Sequence, residues 1–412
     1  GIESELNRGK FYGYRNAAGE LEGVALIGGL APPLDSFGRV LRQANAGVIE
    51  LGQRVLRLRD ALVVTQVAAS FVLLVGAGLL VRSFRNLDRV EPGFKNRQVL
   101  TLHLPHNFTK YPEMPSAQEL IEYGMRMEEL GYESVWAWDH ILLGVEPNFP
   151  IHEALTILTA VAARTTKIKV GTGILVMPMR NPVILAKELA TLDHISNGRL
   201  LVGAAVGWYK REFDSMGVEF TQRGKIMEQS LEIINRLWTE DKVDGDYPPY
   251  KLRGAVLYPK PVQKPRPPLL IGGYVDAVLK RAATKGDGWL TYYYTAESFS
   301  RVWQKVRGFA EEAGRNPDEL ISTNQLPICI GPRAKTEEPM KHWLQTEWDY
   351  ASWSESTMDS AIMGTVEECV EQLEKHIATG IDRIIFVPYK YEKEQVEAVA
   401  REIIPRLQKK MA

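Results

Sequence analysis

Asp139 and His140 are the pair of side chains in this sequence best suited to proton chemistry. An imidazole can donate a hydrogen bond to a ring nitrogen or a reacting oxygen, or exchange a proton with it. An adjacent carboxylate can add a hydrogen bond to a bound cofactor. The same pair could instead be a helix cap followed by a surface histidine, so its meaning depends on the elements that position it.

Three glycine-containing turns are suited to binding a ligand through the backbone. Gly173-Ile174 lies in an apolar segment with two glycines, which indicates a strand bulge or close approach by a ligand. Gly207-Trp208 opens a helix and could present N–H groups to a phosphate. Gly272-Gly273 could form a second phosphate nest. The alternatives are close packing around small residues and ordinary tight turns.

Several chemistries are disfavoured by what the sequence lacks. It contains no GxGxxG, P-loop, HExxH or GxSxG motif. Its two cysteines, Cys329 and Cys369, have no metal-ligand spacing and indicate no disulfide scaffold. A net charge of -1 gives no reason to expect a nucleic acid as partner. We therefore expect a small-molecule substrate and no metal site.

Alternating strands and helices from residue 99 onwards must position these groups, as expected for βαβ units. Ser116 and Glu119 have the spacing of a capping box, and 240–268 is typical of an insertion. The predicted strands are 99–104, 134–140, 167–178, 199–207, 268–273, 286–293, 321–330 and 382–389. They predict an α/β fold, a TIM (β/α)8 barrel with insertions, whose site forms at the carboxyl ends of the strands.

The part of the chain before residue 99 has a different character. Residues 1–56 are rich in glycine, show weak periodicity and no convincing strand series, and predict a poorly ordered segment. Residues 61–81 carry no charge and are long enough to cross a bilayer, so 57–98 is predicted to hold a transmembrane helix with membrane contact. A buried core helix is the alternative. Residues 99–412 form the predicted barrel domain.

Residues 57–105 resemble the macrolide-exporter-like permeases of ABC transport systems. The matching text is RLRDALVVTQVAASFVLLVGAGLLVRSFRNLDRVEPGFKNRQVLTLHLP. In that family the text is a transmembrane helix that leads into a periplasmic strand, and no further permease helices follow here. The first barrel strand therefore lies in permease-like text. The join is either a membrane-tethered enzyme or an accidental fusion of two genes, and we favour the second.

From about residue 106 to 412 the chain resembles the luciferase-like monooxygenase superfamily, in the branch that uses the deazaflavin coenzyme F420. The matching pieces are LGYESVWAWDH, KIKVGTGILVMPMRNPVILAKELATLDHISNGRLLVGAAVGW, KPVQKPRPPLLIGG and KGDGWL. The resemblance implies a TIM-barrel oxidoreductase that is expected in the cytoplasm and often forms a homo-oligomer. A genuine helix at 61–81 would make the chain membrane-associated.

The resemblance also implies roles for the residues singled out above. Asp139 and His140 match the pair beside the deazaflavin ring, with His140 handling the proton. Gly173-Ile174 matches the bulge that, in relatives, holds a non-prolyl cis peptide behind the ring. Gly207 and Gly272-Gly273 match backbone contacts to the cofactor side chain and phosphate.

Trp208 is the one departure that bears on the substrate. Relatives that act on sugar phosphates place a glutamate proton donor at this position, just after the glycine that ends the fourth strand. A tryptophan there argues against a sugar phosphate and for an apolar or aromatic substrate. Trp138, Tyr292 and Tyr293 could line the same pocket.

Three functions follow from these observations. The first is an F420-dependent oxidoreductase that transfers a hydride between the deazaflavin and an unknown apolar substrate. The second is an FMN-dependent monooxygenase that takes reduced flavin from a partner reductase and activates oxygen. The third is a non-catalytic fusion of a permease fragment with a barrel. Cofactor binding separates them.

Overall fold

The computed structural model describes residues 99–103, 115–142, 151–347 and 357–411, together with three strands before residue 28. The chain divides into two units, Gly1–Glu91 and Pro92–Ala412. Among the described residues, no helix combines the length and the apolar composition that crossing a membrane requires. The transmembrane helix predicted at 61–81 lies outside those residues.

The first unit contains a small antiparallel sheet that the sequence did not indicate. Strands β1 (Glu3–Leu6), β2 (Gly9–Arg15) and β3 (Leu21–Ile27) pair in that order. The expectation of no strand series here was wrong. Each strand is shorter than the window of about 11 residues over which hydrophobic periodicity can be read.

The second unit is a closed parallel barrel, which confirms the predicted fold. Its ring strands, in their order around the barrel, are β4 (Val99–His103), β5 (Ser134–Ala137), β6 (Lys169–Val176), β7 (Leu200–Ala205), β10 (Leu269–Gly272), β11 (Gly288–Tyr292), β12 (Ile321–Ile330) and β14 (Arg383–Pro388). Pairing of β14 with β4 closes the ring. A further strand, β13 (Ile362–Gly364), extends the sheet at the end of β12.

The first strand of the barrel, β4, pairs with a neighbour on each side and so completes the ring. Thr101 is paired with Ile385 of β14, and Leu102 is paired with Val135 of β5. Leu102 is fully buried in the layer between strands and helices, and Thr101 is buried as well. The alternating side chains of this short strand are therefore sufficient to close the barrel.

The helices lie outside the ring and follow the predicted pattern. Ser116 and Glu119 form the predicted capping box, in which each side chain accepts from the other's backbone N–H. The segment 240–268 contributes an antiparallel hairpin of β8 (Val243–Tyr247) and β9 (Tyr250–Ala255). The helices are Ala117–Glu129, Ala154–Arg164, Pro182–Ile195, Lys210–Ser215, Arg223–Thr239, Asp276–Lys285, Ala296–Glu312, Arg333–His342, Thr357–Ser360, Val366–Ile377, Lys393–Ala398 and Ile404–Met411.

Two helices contain a π-helical turn. The helix that begins at Arg333 passes into such a turn at Trp343–Glu347. The closing helical segment, which begins at Lys393, contains one at Val399–Ile403. Both turns concern the hydrogen-bond step within a helix, which a hydrophobic pattern does not specify.

The inside of the ring is filled by side chains rather than open. Trp136 is fully buried there and packs with Leu201, Leu270, Leu290 and Ile385. At the amino ends of the strands, Glu133 forms salt bridges with Lys169 at 2.6 Å and with Arg383 at 3.1 Å. The interior of the barrel is thus a packed core. A site is therefore expected at the carboxyl ends of the strands.

Candidate active site

His140 is held by a buried carboxylate at the carboxyl end of β5. Its Nδ1 lies 2.9 Å from Oε2 of Glu212, whose side chain is 1% exposed. The other carboxylate oxygen, Oε1, accepts hydrogen bonds from the backbone N–H groups of Ile141 and Leu142. Burial raises the pKa of Glu212, but these hydrogen bonds and the facing imidazole lower it further, so the pKa falls below its ordinary value.

Trp208 packs against the same histidine. Its ring meets that of His140 edge-to-face, with the ring centroids 6.0 Å apart. The centroid of the Trp208 ring lies 5.3 Å from that of the Tyr209 ring. Trp208 remains 39% exposed. An apolar, partly open surface therefore borders the imidazole at the position where the sequence predicted a change of substrate class.

Asp139, which precedes His140 in the chain, is buried. Its carboxylate accepts from the Val176 N–H at 2.9 Å and from Arg180 at 2.6 Å, and Arg180 also reaches Glu153 at 2.9 Å. Both carboxylate oxygens thus have partners inside the protein, where they tie the end of β5 to the end of β6. The predicted contact between Asp139 and a cofactor stays a prediction.

The bulge expected at Gly173-Ile174 is present, and the peptide bond between these residues is cis. The register of β6 against β7 shifts between Thr172 and Leu175. Beside the bulge, the Thr172 hydroxyl donates to the Gly203 carbonyl at 2.8 Å and accepts from its N–H at 3.0 Å. The side chain of Thr172 thereby satisfies backbone groups next to the interruption of the ladder.

Gly272 lies directly against the bulge. A Cβ atom added at Gly272 would be 2.3 Å from Cδ1 of Ile174, so only glycine lets this side chain reach the end of β10. Two of the predicted backbone sites, at the ends of β6 and β10, are therefore in contact.

Gly273 continues the turn after β10. Its φ is +130°, in the region that favours glycine, and its carbonyl accepts from Trp289 Nε1 at 2.7 Å. The helix Asp276–Lys285 follows, and no side chain caps its first turn. Its first N–H groups can therefore serve an anionic group. The phosphate contact predicted at Gly272-Gly273 stays a prediction.

Gly207 is required by its surroundings. Its φ is +79°, and an added Cβ would lie 2.6 Å from Val176 and 2.8 Å from Phe213. Phe213 is fully buried in the short helix Lys210–Ser215, next to Glu212. The close approach of Phe213 to Gly207 fixes the position of this helix. It thereby also fixes the position of Glu212, whose carboxylate holds His140.

An aromatic cluster covers the carboxyl ends of β5, β11 and β14. It joins the ring of Tyr292 to that of Tyr293 at 5.3 Å, and the ring of Trp343 to that of Tyr389 at 5.4 Å. Burial raises the pKa of Tyr292, so its phenol stays neutral. The cluster comprises Trp138, Tyr292, Tyr293, Trp343, Tyr389 and Tyr391. Three of the four predicted pocket residues lie in it, and Trp208 packs separately against His140.

Glu212 and Arg180 contact His140 and Asp139, and the sequence did not single them out. Both lie a few residues beyond a strand end rather than directly after it. The signal for Glu212 was its place as a carboxylate in the loop after Trp208, in the short helix that follows β7.

Comparison with known proteins assigns this arrangement to a family. Residues 98–383 match the luciferase-like monooxygenases. The chain belongs to this family. The match begins just before β4, spans the ring strands up to β12 and ends at the first residue of β14. The chain is accordingly an enzyme of the oxidoreductase class.

Its relatives include both cofactor types expected from the sequence. An F420-dependent glucose-6-phosphate dehydrogenase of Amycolatopsis mediterranei (strain U-32) is 27% identical over 318 residues, which is 70% of this chain and 94% of that protein. An FMNH(2)-dependent dimethylsulfone monooxygenase of Pseudomonas putida is 27% identical over 62% of this chain and 78% of that protein. The solved structure of an F420-dependent secondary alcohol dehydrogenase, in complex with an F420-acetone adduct, shares the fold, with a TM-score of 0.65, 22% identity and coverage of 75% of this chain and 98% of the other.

Proposed function

We propose that this chain is an F420-dependent oxidoreductase that transfers a hydride between the deazaflavin and an apolar organic substrate. The observation that carries the proposal is the imidazole of His140, which Glu212 holds at the carboxyl end of β5, the strand next to the one that contains the Gly173-Ile174 bulge. A histidine held by a carboxylate is suited to general acid–base catalysis near neutral pH.

The residues present fit a planar cofactor with a phosphate. Ile174 leaves no room for a side chain at position 272. The ends of β6 and β10 therefore offer backbone atoms and the aliphatic side chain of Ile174 to the ring of a cofactor. Gly273 and the uncapped first turn of Asp276–Lys285 offer N–H groups to a phosphate. When bound, F420 supplies a two-electron centre that accepts or gives a hydride.

An apolar substrate is supported by the side chains around His140. Trp208 stands beside the imidazole, and the aromatic cluster begins at Trp138, two positions before it. Arg180 is paired with Asp139 and Glu153. These features favour substrates such as secondary alcohols, ketones or aromatic compounds over sugar phosphates.

The FMN-dependent monooxygenase is the second candidate, supported by the dimethylsulfone monooxygenase among the relatives. Such an enzyme would need reduced flavin from a partner reductase. The residues that would face either ring are the same, so a comparison of cofactor affinities distinguishes the two candidates.

Titration of the full chain with F420 and with FMN, followed by fluorescence, distinguishes the candidates. We expect F420 to bind at least tenfold more tightly, and His140→Ala or Gly207→Trp to weaken that binding. His194→Ala is the matched control, because that exposed histidine binds the Lys260 carbonyl. Preference for FMN would support the monooxygenase, and binding of neither ligand by folded protein would support a non-catalytic barrel.

A further inference from the structure

We infer that Glu212 is a positioning residue that fixes which nitrogen of His140 carries the proton. Its carboxylate faces Nδ1 at 2.9 Å and is nearly inaccessible to water. An ionised carboxylate can only accept hydrogen bonds, so Nδ1 must be the protonated nitrogen of the neutral ring. The inference concerns the same site as the proposed function and rests on it for its catalytic meaning.

The consequence of this arrangement lies at the opposite nitrogen. With the proton on Nδ1, Nε2 has a free lone pair and can accept a proton from a substrate. The protonated ring can return that proton from Nε2, while the proton on Nδ1 stays with Glu212. The carboxylate also offsets the positive charge that the ring gains in the process.

Backbone hydrogen bonds hold the carboxylate in the orientation that this role needs. Oε1 accepts from the N–H groups of Ile141 and Leu142, the latter at 3.0 Å. These donors belong to the segment that directly follows His140. The two oxygens are therefore distinguishable: one binds the backbone and the other binds the ring.

The charged groups nearby leave His140 as the partner of Glu212. Asp139 is adjacent in sequence, but Val176 and Arg180 occupy its oxygens. Lys210, on the same helix as Glu212, pairs with Asp214 at 2.7 Å on the exposed face. Asp139 and Lys210 are thus both engaged with partners other than Glu212.

A purely structural role for Glu212, tying down residues 141 and 142, is the competing explanation. Glu212→Gln separates the two roles. The amide keeps one oxygen, which must stay on the two backbone N–H groups, because turning it would set an NH2 group against both donors. The NH2 group then faces Nδ1 as a donor, and the ring must move its proton to Nε2. A structural role would be preserved, while the tautomer would be reversed.

The measurement is the ¹⁵N spectrum of histidine-labelled full chain, without cofactor, at a pH where the ring is neutral. The signals of His140 are identified by their loss in His140→Gln. We expect Nδ1 protonated in the wild type and Nε2 protonated in Glu212→Gln. Glu219→Gln is the matched control, because Glu219 is a carboxylate that caps a short helix nearby, and it should leave the His140 tautomer unchanged.

Either of two results would overturn the inference: a proton on Nε2 in the wild type, or the same tautomer in both proteins. The wild-type spectrum alone is decisive if Glu212→Gln does not fold. In the loaded enzyme, Glu212→Gln should lower kcat about a hundredfold or more while F420 affinity changes less than threefold. Failure of F420 to bind would reject the proposed function and leave the tautomer result standing.

Discussion

Replacing Gly207 by alanine tests how strongly the end of β7 determines the site. The added Cβ would lie 2.6 Å from Val176 and 2.8 Å from Phe213. Neither neighbour can move freely, because Phe213 is fully buried and the backbone of Val176 is bound by Asp139. The left-handed φ of +79° adds a backbone cost for any residue with a side chain.

The two costs can be estimated separately. A non-glycine residue in the left-handed region costs about 1–2 kcal/mol. Overpacking of a closely packed site costs about 1–3 kcal/mol. We therefore expect Gly207→Ala to lower the free energy of unfolding by about 2–5 kcal/mol. Displacement of Phe213 should also shift its neighbour Glu212, so catalytic activity should fall further than stability alone explains.

Gly217→Ala is the matched control, because its φ is +68° but nothing lies within 4 Å of its added Cβ. It carries the backbone cost without the contact cost. Urea unfolding of both variants and the wild type, followed by tryptophan fluorescence, measures the difference. Equal losses of stability in the two variants would refute the reasoning that Val176 and Phe213 confine this position.

Two further predictions concern the core and its response to pH. Gly171→Ala should lower the free energy of unfolding by about 1–3 kcal/mol, because its Cβ would lie 2.4 Å from the buried Trp136 ring. Gly308→Ala should instead raise the free energy of unfolding by about 0.5–1 kcal/mol, because Gly308 lies in a helix and nothing lies within 4 Å of its added Cβ. Thermal unfolding of the two variants and the wild type tests both predictions. Burial lowers the pKa of His376 from 6.5 to about 4. Between these pH values the unfolded chain takes up a proton that the folded protein does not, so the free energy of unfolding decreases as pH falls from 6.5 towards 4. The loss should approach about 3 kcal/mol, and His376→Leu should remove this part of the pH dependence in urea titrations.

The elements of the barrel could be predicted because each combines a buried apolar strand with an amphipathic helix. Glycines at the strand ends indicated where the backbone departs from a regular strand, since few residue types tolerate such backbones. At Gly173-Ile174 the two glycines left a bulge and close packing open, and the resemblance to the family implied the bulge that the structure contains.

Interactions between distant segments could not be predicted in the same way. The contact of Glu212 with His140 spans 72 positions, and that of Arg180 with Asp139 spans 41. Neither leaves a periodic signal, because both depend on how two loops meet after the barrel closes. The antiparallel strands before residue 28 were missed because the periodicity of such short segments is weak.

The position of β4 in the ring has a consequence for truncated forms of the protein. Its five residues, Val99–His103, hydrogen bond to β5 on one side and β14 on the other. A chain that begins at residue 104 would expose the unpaired N–H and C=O groups of two strands at once. Such free edges recruit strands from other molecules. The smallest useful recombinant fragment must therefore begin before Val99, and a shorter one should precipitate or exchange strands between copies.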